Sequence, residues 1–291
     1  MGLGVRSEIF VDASRGTDAR GDLPAKPTRT LPTQVYYPAD RDPTLDPVEG
    51  APPAKSGRPF PLVVFAHGDT VSPPAAYATL RQTWAAAGYV VAAPTFPLSS
   101  TTLPGGGADF VNQPADVSFV IGQLLALSAA PDGPYAGLID PERIAVAGHS
   151  LGAMTALALT ANSCCADPRI KAAVILAGAE QRFPGGSYFT RPVHVPTMVV
   201  HGDADTGVPI AEGQKVFADA APPKVMLTVL MGDHSEPYFG DRRSSKARLV
   251  AATTLDFLDQ YTRGRPDGLD RLRKAVADSL DGRLDVVETK S

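Results

Sequence analysis

The chain has 291 residues, 44% of them hydrophobic, which is enough to bury the core of one large α/β domain. Its net charge of -4 and pI of about 5.7, with no run rich in Lys or Arg, argue against a nucleic-acid partner. No apolar run approaches the roughly 18 residues of a membrane span, so we expect a soluble monomer without stable membrane insertion.

Short runs rich in Val, Ile and Ala alternate with helical patterns along the chain, as is typical of a mostly parallel sheet covered on both faces. The predicted strands are, in chain order, RTLPTQVYYP, FPLVVFAHG, GYVVAAP, RIAVAGHS, IKAAVILAG, PTMVVHGD and PKVMLTVLMGD. The predicted helices span residues 75–87, 113–128, 151–161, 210–220 and 244–261. This order predicts an α/β fold with a mostly parallel central sheet.

The organisation of the chain predicts a single domain over residues 1–291. Its core is expected to span about 30–261, and residues 262–291 to form a C-terminal helical tail in which LDRLRKAVADSL is an amphipathic surface helix. Cys164 and Cys165 are adjacent, so they cannot join distant segments. We expect two free thiols, with a vicinal disulfide as the alternative and no catalytic cysteine.

The stretch RIAVAGHSLGAMTALALT carries a serine at the junction of a predicted strand and a predicted helix. Gly148, Ser150 and Gly152 match G-x-S-x-G, in which small residues permit a turn that lifts the serine hydroxyl clear of the sheet. The first amides of the new helix then face whatever the hydroxyl attacks. This context favours a nucleophile elbow over a serine that merely caps a helix.

A serine hydroxyl is a poor nucleophile, so the hypothesis requires a base. Among the five histidines, His67 and His201 end strands, His149 lies inside the elbow and His194 lies in a loop. His234 follows the last predicted strand and precedes the last long helix, where it can reach the carboxyl end of the sheet. We therefore predict His234 as the base.

For the acid that orients the base, Asp203 and Asp205 follow a predicted strand and precede His234. The order Ser, Asp, His is that of the α/β-hydrolases. From about residue 30 to 261 the sequence resembles α/β-hydrolase serine esterases. Its motifs are similar to those of dienelactone-hydrolase-like, platelet-activating-factor-acetylhydrolase-like and cutinase-like (polyester hydrolase) enzymes.

This resemblance implies which carboxylate acts. In such enzymes the acid is commonly the aspartate of G-x-x-D-x-x-V-P, which is matched here by Gly202, Asp205, Val208 and Pro209. Acetylhydrolases of the plasma type carry the acid one strand earlier, where this chain offers only Glu180. The resemblance therefore favours Asp205, with Glu180 and Asp203 as alternatives.

The resemblance also implies an oxyanion hole. FAHGD is similar to the His-Gly turn of these families, whose next residue supplies one amide, so the implied donors are the backbone N–H groups of Asp69 and Leu151. An apolar or aromatic residue is usual at the position of Asp69, so we expect its carboxylate to point to solvent or to cap a turn with Thr70. His67 is expected to be structural.

The interval 178–195 is too short for the helical cap that many lipases insert there, so we expect no large cap domain and an open cleft suited to bulky or chain-like esters. Aromatic residues of the flanking loops provide candidate apolar walls. They are Phe110, Phe183, Tyr188, Tyr238 and Phe239. The candidate substrate contacts are Thr70, Phe110, His149 and Tyr238. Trp84 is expected in the core.

The prediction is a serine esterase that needs no cofactor or metal, with a polymeric or bulky ester as substrate and small soluble esters, short-chain acylglycerols or phospholipids as the alternative. Amidase and thioesterase activity stay open because a triad does not specify the leaving group. Two rival classes are a non-catalytic binding protein and a metal-dependent hydrolase, whose ligands would be His201, Asp203, Asp205, Asp233 and His234. By resemblance, we expect an exported, signal-stripped protein, with the cytoplasm as the alternative.

Overall fold

The computed structural model describes residues 1–69, 76–100, 103–104, 107–190 and 195–288. The strands in these ranges are β1 Gly2–Asp12, β2 Arg29–Ala39, β3 Val48–Glu49, β4 Phe60–Ala66, β5 Val90–Pro94, β6 Ser99–Ser100, β7 Leu103–Pro104, β8 Ile139–His149, β9 Ile170–Leu176, β10 Thr197–Gly202, β11 Lys224–Val229 and β12 Gly282–Val287. The α-helices are α1 Ala78–Ala86, α2 Gln113–Ala129, α3 Leu151–Ala161, α4 Ile210–Asp219, α5 Glu236–Phe239, α6 Ser245–Thr262 and α7 Gly268–Ala277, and a 3-10 helix spans Gly107–Asn112.

One sheet of ten strands has the order β12-β11-β10-β9-β8-β4-β5-β2-β1-β3. The six strands from β11 to β5 pair in parallel, whereas β12 joins β11 and β2 joins β5 in antiparallel fashion. All seven strands and all five helices predicted from the sequence are present. The prediction of a mostly parallel sheet is therefore confirmed.

Two apolar layers cover the two faces of the sheet. In β8, Ala145 and Ala147 pack in the layer formed with α1, α6 and α7, whereas Ile144 and Val146 pack in the layer formed with α2, α3 and α4. A parallel strand buried on both faces needs apolar side chains at every position, which explains the continuous apolar run. Trp84 lies fully buried in the first layer and donates its indole N–H to Thr254 (3.1 Å), as predicted for a core residue.

The sheet extends beyond the predicted core of 30–261, which corrects both of its boundaries. At one end, β1 pairs with the whole of β2, from Gly2 opposite Ala39 to Asp12 opposite Arg29. At the other end, the tail forms the expected helix, α7, and then β12, which pairs with β11. None of the six residues of β12 is fully buried, so this edge strand lacks the continuous apolar run that identified the central strands in the sequence.

Beyond the sheet, the structure differs from the sequence-based expectation at the cysteines. Cys164 and Cys165, just after α3, are joined in a vicinal disulfide, so the expectation of two free thiols is wrong. Among the described residues, no helix is both long and apolar enough to cross a membrane.

Candidate active site

The predicted nucleophile lies where β8 turns into α3. Ser150 has φ 54° and ψ -119°, a conformation that is rare for a residue with a side chain and that makes the turn sharp. A Cβ on Gly148 would collide with the carbonyl of Gly152, and a Cβ on Gly152 would collide with the carbonyl of Ala66. The backbone of neighbouring elements therefore requires glycine on both sides of the serine.

Three side chains from separate loops form a hydrogen-bonded line at this turn. His234 Nε2 lies 3.0 Å from Ser150 Oγ, and His234 Nδ1 lies 2.7 Å from Asp205 Oδ2. The other carboxylate oxygen of Asp205 accepts the backbone N–H groups of Gly207 and Val208, each at 2.8 Å. With Nδ1–H donated to Asp205, Nε2 is the free acceptor for the serine proton.

The two alternative acids, Asp203 and Glu180, bond to groups other than His234. Asp203 Oδ1 accepts the N–H of Met231 (2.6 Å), and Glu180 forms an ion pair with Lys215 (2.7 Å). Of the three candidate acids, Asp205 is the one hydrogen-bonded to His234. His194 lies outside the described residues.

The loop after β4 presents its backbone beside Ser150. The Phe96 N–H donates to His67 Nε2 (3.0 Å), so His67 Nδ1 carries the hydrogen and donates it to the Gly68 carbonyl (2.7 Å). Burial lowers the pKa of His67 to about 4, which keeps the ring neutral. In a trans peptide the N–H points opposite to the C=O, so this bond directs the Asp69 amide away from His67.

The second implied donor, Leu151, is the first residue of α3, where an amide has no acceptor within the helix. The carboxylate of Asp69 was expected to point to solvent. Instead, its Oδ1 is shielded from solvent and has no hydrogen-bond partner among the described residues. Thr70, the expected partner, lies outside those residues.

Comparison with known proteins identifies the family. The family model PETase, described as PET hydrolase-like, matches residues 84–266, which is more than half of the chain. The chain belongs to the PET hydrolase-like family. This match confirms the resemblance to α/β-hydrolase esterases with polyester hydrolase-like features and supports the predicted class of carboxylic ester hydrolase.

One solved structure and two curated proteins are also similar to this chain. A ferulic acid esterase from Streptomyces cinnamoneus superposes with a TM-score of 0.67 at 23% identity, covering 92% of each chain. The uncharacterized protein YfhR of Salmonella typhimurium is 28% identical over 127 residues, and YfhR of Salmonella typhi matches equally. These alignments span 35% of this chain and 44% of the relative, so the chain covers less than half the length of these curated relatives.

The structure contradicts two of the predicted substrate contacts. His149 and Tyr238 are each 1% exposed, and both bond within the protein. His149 bonds Tyr77 and the His234 carbonyl, while the Tyr238 hydroxyl donates to the Val200 carbonyl (3.3 Å). Because β8 is buried on both faces, the residue before the serine projects into the core rather than into the cleft.

The remaining aromatic candidates differ in exposure. Phe110 is partly buried and packs edge to face on the buried ring of Phe183, with centroids 5.0 Å apart. Phe239 is 36% exposed and packs against Tyr77 and His149. Tyr188 is also partly buried, so Phe239 is the most exposed of these four residues.

Sequence reasoning missed Tyr77, which precedes α1. Its hydroxyl accepts the N–H of Gly68 and contacts His149, each at 3.0 Å. A tyrosine nine residues after the His-Gly turn carries no motif that pairs it with the elbow, so no sequence signal was available.

The rival metal ligands bond instead to protein groups. Asp233 Oδ1 accepts the amides of Ser235 and Glu236, and His201 Nε2 lies 2.8 Å from the carbonyl of Val208. Within the described ranges, no group of three or more His, Cys, Asp or Glu side chains is arranged to hold a metal ion.

Proposed function

We propose that this protein is a serine hydrolase that cleaves carboxylic esters through a covalent acyl-enzyme. The observation that carries the proposal is the hydrogen-bonded line from Ser150 through His234 to Asp205, with distances of 3.0 and 2.7 Å. Membership of the PET hydrolase-like family supports ester chemistry. The strained turn at Ser150 and its position at the start of a helix support the nucleophile role.

In the first half-reaction, Ser150 Oγ attacks the ester carbonyl carbon while His234 Nε2 takes the serine proton. The tetrahedral intermediate then breaks its bond to the alcohol oxygen, which receives that proton from His234. Asp205 fixes the imidazole with its hydrogen on Nδ1 and stabilises the imidazolium cation. The alcohol leaves, and the acyl group stays on Ser150.

In the second half-reaction, water takes the place of the alcohol. The water oxygen attacks the acyl carbon while His234 Nε2 takes a proton from the water. The tetrahedral intermediate then breaks its bond to Ser150 Oγ, which receives that proton from His234, and the carboxylic acid leaves. In both intermediates, the amides of Asp69 and Leu151 are the proposed donors to the oxyanion. Loss of one such donor typically lowers turnover by about 100- to 1000-fold.

Labelling by a fluorophosphonate probe tests the nucleophile. Wild type should be labelled once and should hydrolyse p-nitrophenyl acetate at an unchanged rate after EDTA treatment, whereas Ser150→Ala should lose labelling and turnover with an unchanged melting temperature. Ser187→Ala, which alters an exposed loop serine, is the matched control and should react like wild type. Labelling that persists in Ser150→Ala would contradict the assignment.

For the substrate, we propose bulky or polymeric esters of the polyester type. The described part of the segment between β9 and β10, residues 177–190 and 195–196, contains no helix, which supports a cleft without a cap on that side. The description of the matching family also names a polyester hydrolase. A long or surface-bound ester needs such access because it cannot thread beneath a lid.

A panel of p-nitrophenyl esters of increasing acyl length, run beside a solid polyester film, distinguishes polymers from small esters. We expect turnover to continue at long acyl lengths and soluble products to leave the film. A rate that collapses beyond short acyl chains, with an intact film, would contradict polymer hydrolysis and favour small soluble esters.

We also propose that the protein works outside the cytoplasm. The disulfide between Cys164 and Cys165 supports this location, because disulfides persist mainly in oxidising compartments. Fractionation of the native host should recover the esterase from the medium or periplasm, whereas recovery from the cytoplasm alone would contradict the proposal.

A further inference from the structure

A chain of hydrogen bonds links three loops behind the triad. The Gly68 N–H donates to Tyr77 Oη (3.0 Å), Tyr77 Oη lies 3.0 Å from His149 Nδ1, and His149 Nε2 lies 2.9 Å from the His234 carbonyl oxygen. We propose that Tyr77 and His149 are positioning residues that fix the oxyanion loop relative to the backbone of His234. This inference rests on the hydrolase function proposed above.

The chemistry of the groups fixes the direction of every bond in this chain. A backbone N–H can only donate, so the Tyr77 oxygen accepts from Gly68 and its own hydrogen is left for His149 Nδ1. A neutral imidazole that accepts at Nδ1 carries its hydrogen on Nε2, which faces the carbonyl of His234, a group that only accepts. The four groups are thus satisfied by a single arrangement of hydrogens.

Burial holds His149 in this neutral form. Its side chain is 1% exposed, and burial, followed by the nearby His234, lowers its pKa to about 3. Burial likewise raises the pKa of Tyr77 above its ordinary value, so the phenol keeps its hydrogen. The chain of hydrogen bonds therefore keeps the same arrangement of hydrogens while His234 takes and returns the serine proton in the proposed mechanism.

Packing keeps both residues away from the solvent, through which a substrate would approach Ser150. The ring of His149 lies between those of Tyr77, Tyr238 and His234, with centroids 5.6, 4.7 and 4.8 Å away. Both Tyr77 and His149 are 1% exposed. Any effect on catalysis must therefore act through the residues that they hold.

The loop that Tyr77 and His149 hold in place lies next to Ser150 and carries a proposed oxyanion donor. A Cβ on Gly68 would lie 3.1 Å from His149 Nδ1 and 3.4 Å from Ser150 Cβ, so this loop sits directly against the nucleophile. The proposed oxyanion donor, Asp69, is the next residue. A displacement of about 1 Å in such a site can cost about 100-fold in rate.

Steady-state kinetics on a p-nitrophenyl ester tests the proposal with three variants. Tyr77→Phe removes one oxygen and His149→Phe keeps a ring, and each should lower kcat about 10- to 100-fold with KM within about twofold of wild type. His149→Gln should retain most of the activity, because its amide oxygen and nitrogen can replace the ring acceptor and donor. Melting temperatures of all variants report whether each remains folded.

A double-mutant cycle sharpens this test. If Tyr77 and His149 act through one chain, Tyr77→Phe combined with His149→Phe should lose no more activity than His149→Phe alone. Losses that multiply, a wild-type kcat in Tyr77→Phe, or equal losses in His149→Gln and His149→Phe would each overturn the proposal.

A measurement that does not depend on turnover separates this inference from the proposed function. Nitrogen-15 NMR of the histidine rings, assigned by the signal missing from His149→Gln, should show His149 neutral with its hydrogen on Nε2 from about pH 5 to pH 8. A hydrogen on Nδ1, or titration in that range, would overturn the proposal. The expected tautomer in a protein without ester turnover would count against the proposed function alone.

Discussion

Two clusters of polar side chains are buried in this protein. The histidine cluster, formed by His67, Tyr77 and His149, lies behind the active site and is neutral, whereas the ion cluster between β2 and α2 contains charges. In the ion cluster, Arg29 is fully buried and pairs with Asp109 at 2.9 Å and Asp116 at 2.6 Å. A buried neutral group is stable once its hydrogen bonds are satisfied, whereas a buried ion also needs its counterion.

This difference fits the positions of the two clusters. In the proposed mechanism an oxyanion and an imidazolium form close to Ser150. The buried carboxylate of Asp205 faces the imidazolium, whereas the histidine cluster beside the oxyanion loop is neutral and repels neither charge. Between β2 and α2 no charge develops, and the ion pairs hold the start of β2 against α2. Arg15, which also pairs with Asp116 at 2.8 Å, ties the segment after β1 to the same helix.

The largest expected effect separates catalysis from stability. Asp205→Asn should lower kcat by about 10,000-fold, because the amide favours the wrong tautomer of His234, while the melting temperature stays near that of wild type. Esterase rates and thermal unfolding measure the two quantities. Asp203→Asn, two residues earlier, is the matched control and should retain activity; equal losses in both would argue against Asp205 as the orienting acid.

Breaking the ion cluster should lower stability and leave catalysis nearly unchanged. Arg29→Met leaves Asp109 and Asp116 buried without Arg29, and we expect the free energy of unfolding to fall by about 3 kcal/mol, at the lower end for broken buried pairs because Arg15 still neutralises Asp116. Urea denaturation measures this loss. The kcat of the folded variant should stay within about threefold of wild type; a collapse of kcat with unchanged stability would reverse the comparison.

The histidine cluster should make the protein sensitive to acid. The pKa values of His67 and His149 are about 4 and 3, whereas an unfolded histidine titrates near 6.5, so the unfolded chain binds more protons below about pH 6.5. The two neutral histidines therefore contribute to the free energy of unfolding fully above pH 6.5, and this contribution is lost as the pH falls towards their pKa values in the folded protein. Between pH 7 and pH 5, wild type should lose about 2 kcal/mol more than His149→Gln in urea denaturation. Parallel profiles would show that His149 is not held neutral.

The smallest effect is expected for an exposed ion pair. Lys274, in the last turn of α7, forms an ion pair with Asp278, the residue that follows the helix, at 2.7 Å, and both side chains are solvent-exposed. Since water screens such pairs, Lys274→Met should leave the urea midpoint unchanged within error. A loss matching that of Arg29→Met would mean that burial does not distinguish the two kinds of pair.

Much of the sheet was predictable, because a strand buried on both faces needs a continuous apolar run. RIAVAGHS shows this pattern and corresponds to the end of β8. The edge strands were not predictable in the same way. No residue of β12 is fully buried, so the strand lacks a continuous apolar run, and its pairing depends on an edge that β11 offers only after the sheet has formed.

Within the site, the sequence indicated the residue types but not their surroundings. His149 was predicted as a candidate substrate contact, yet its ring is buried with its nitrogens bonded to Tyr77 and His234. Neighbours in a strand project to opposite faces, so adjacency in the chain does not imply a shared cleft. Tyr77 was missed because it lies 72 residues from His149 in the chain.

The sequence by itself determined the strand-to-helix alternation, the glycines around Ser150 and the order Ser, Asp, His, since apolar periodicity and the steric limits of a tight turn are local properties. Only the tertiary structure decided that Asp205, rather than Asp203 or Glu180, contacts His234. It alone also brought Tyr77 to His149. These choices depend on which loops meet at the carboxyl edge of the sheet, and that meeting follows from strand order, which no local pattern encodes.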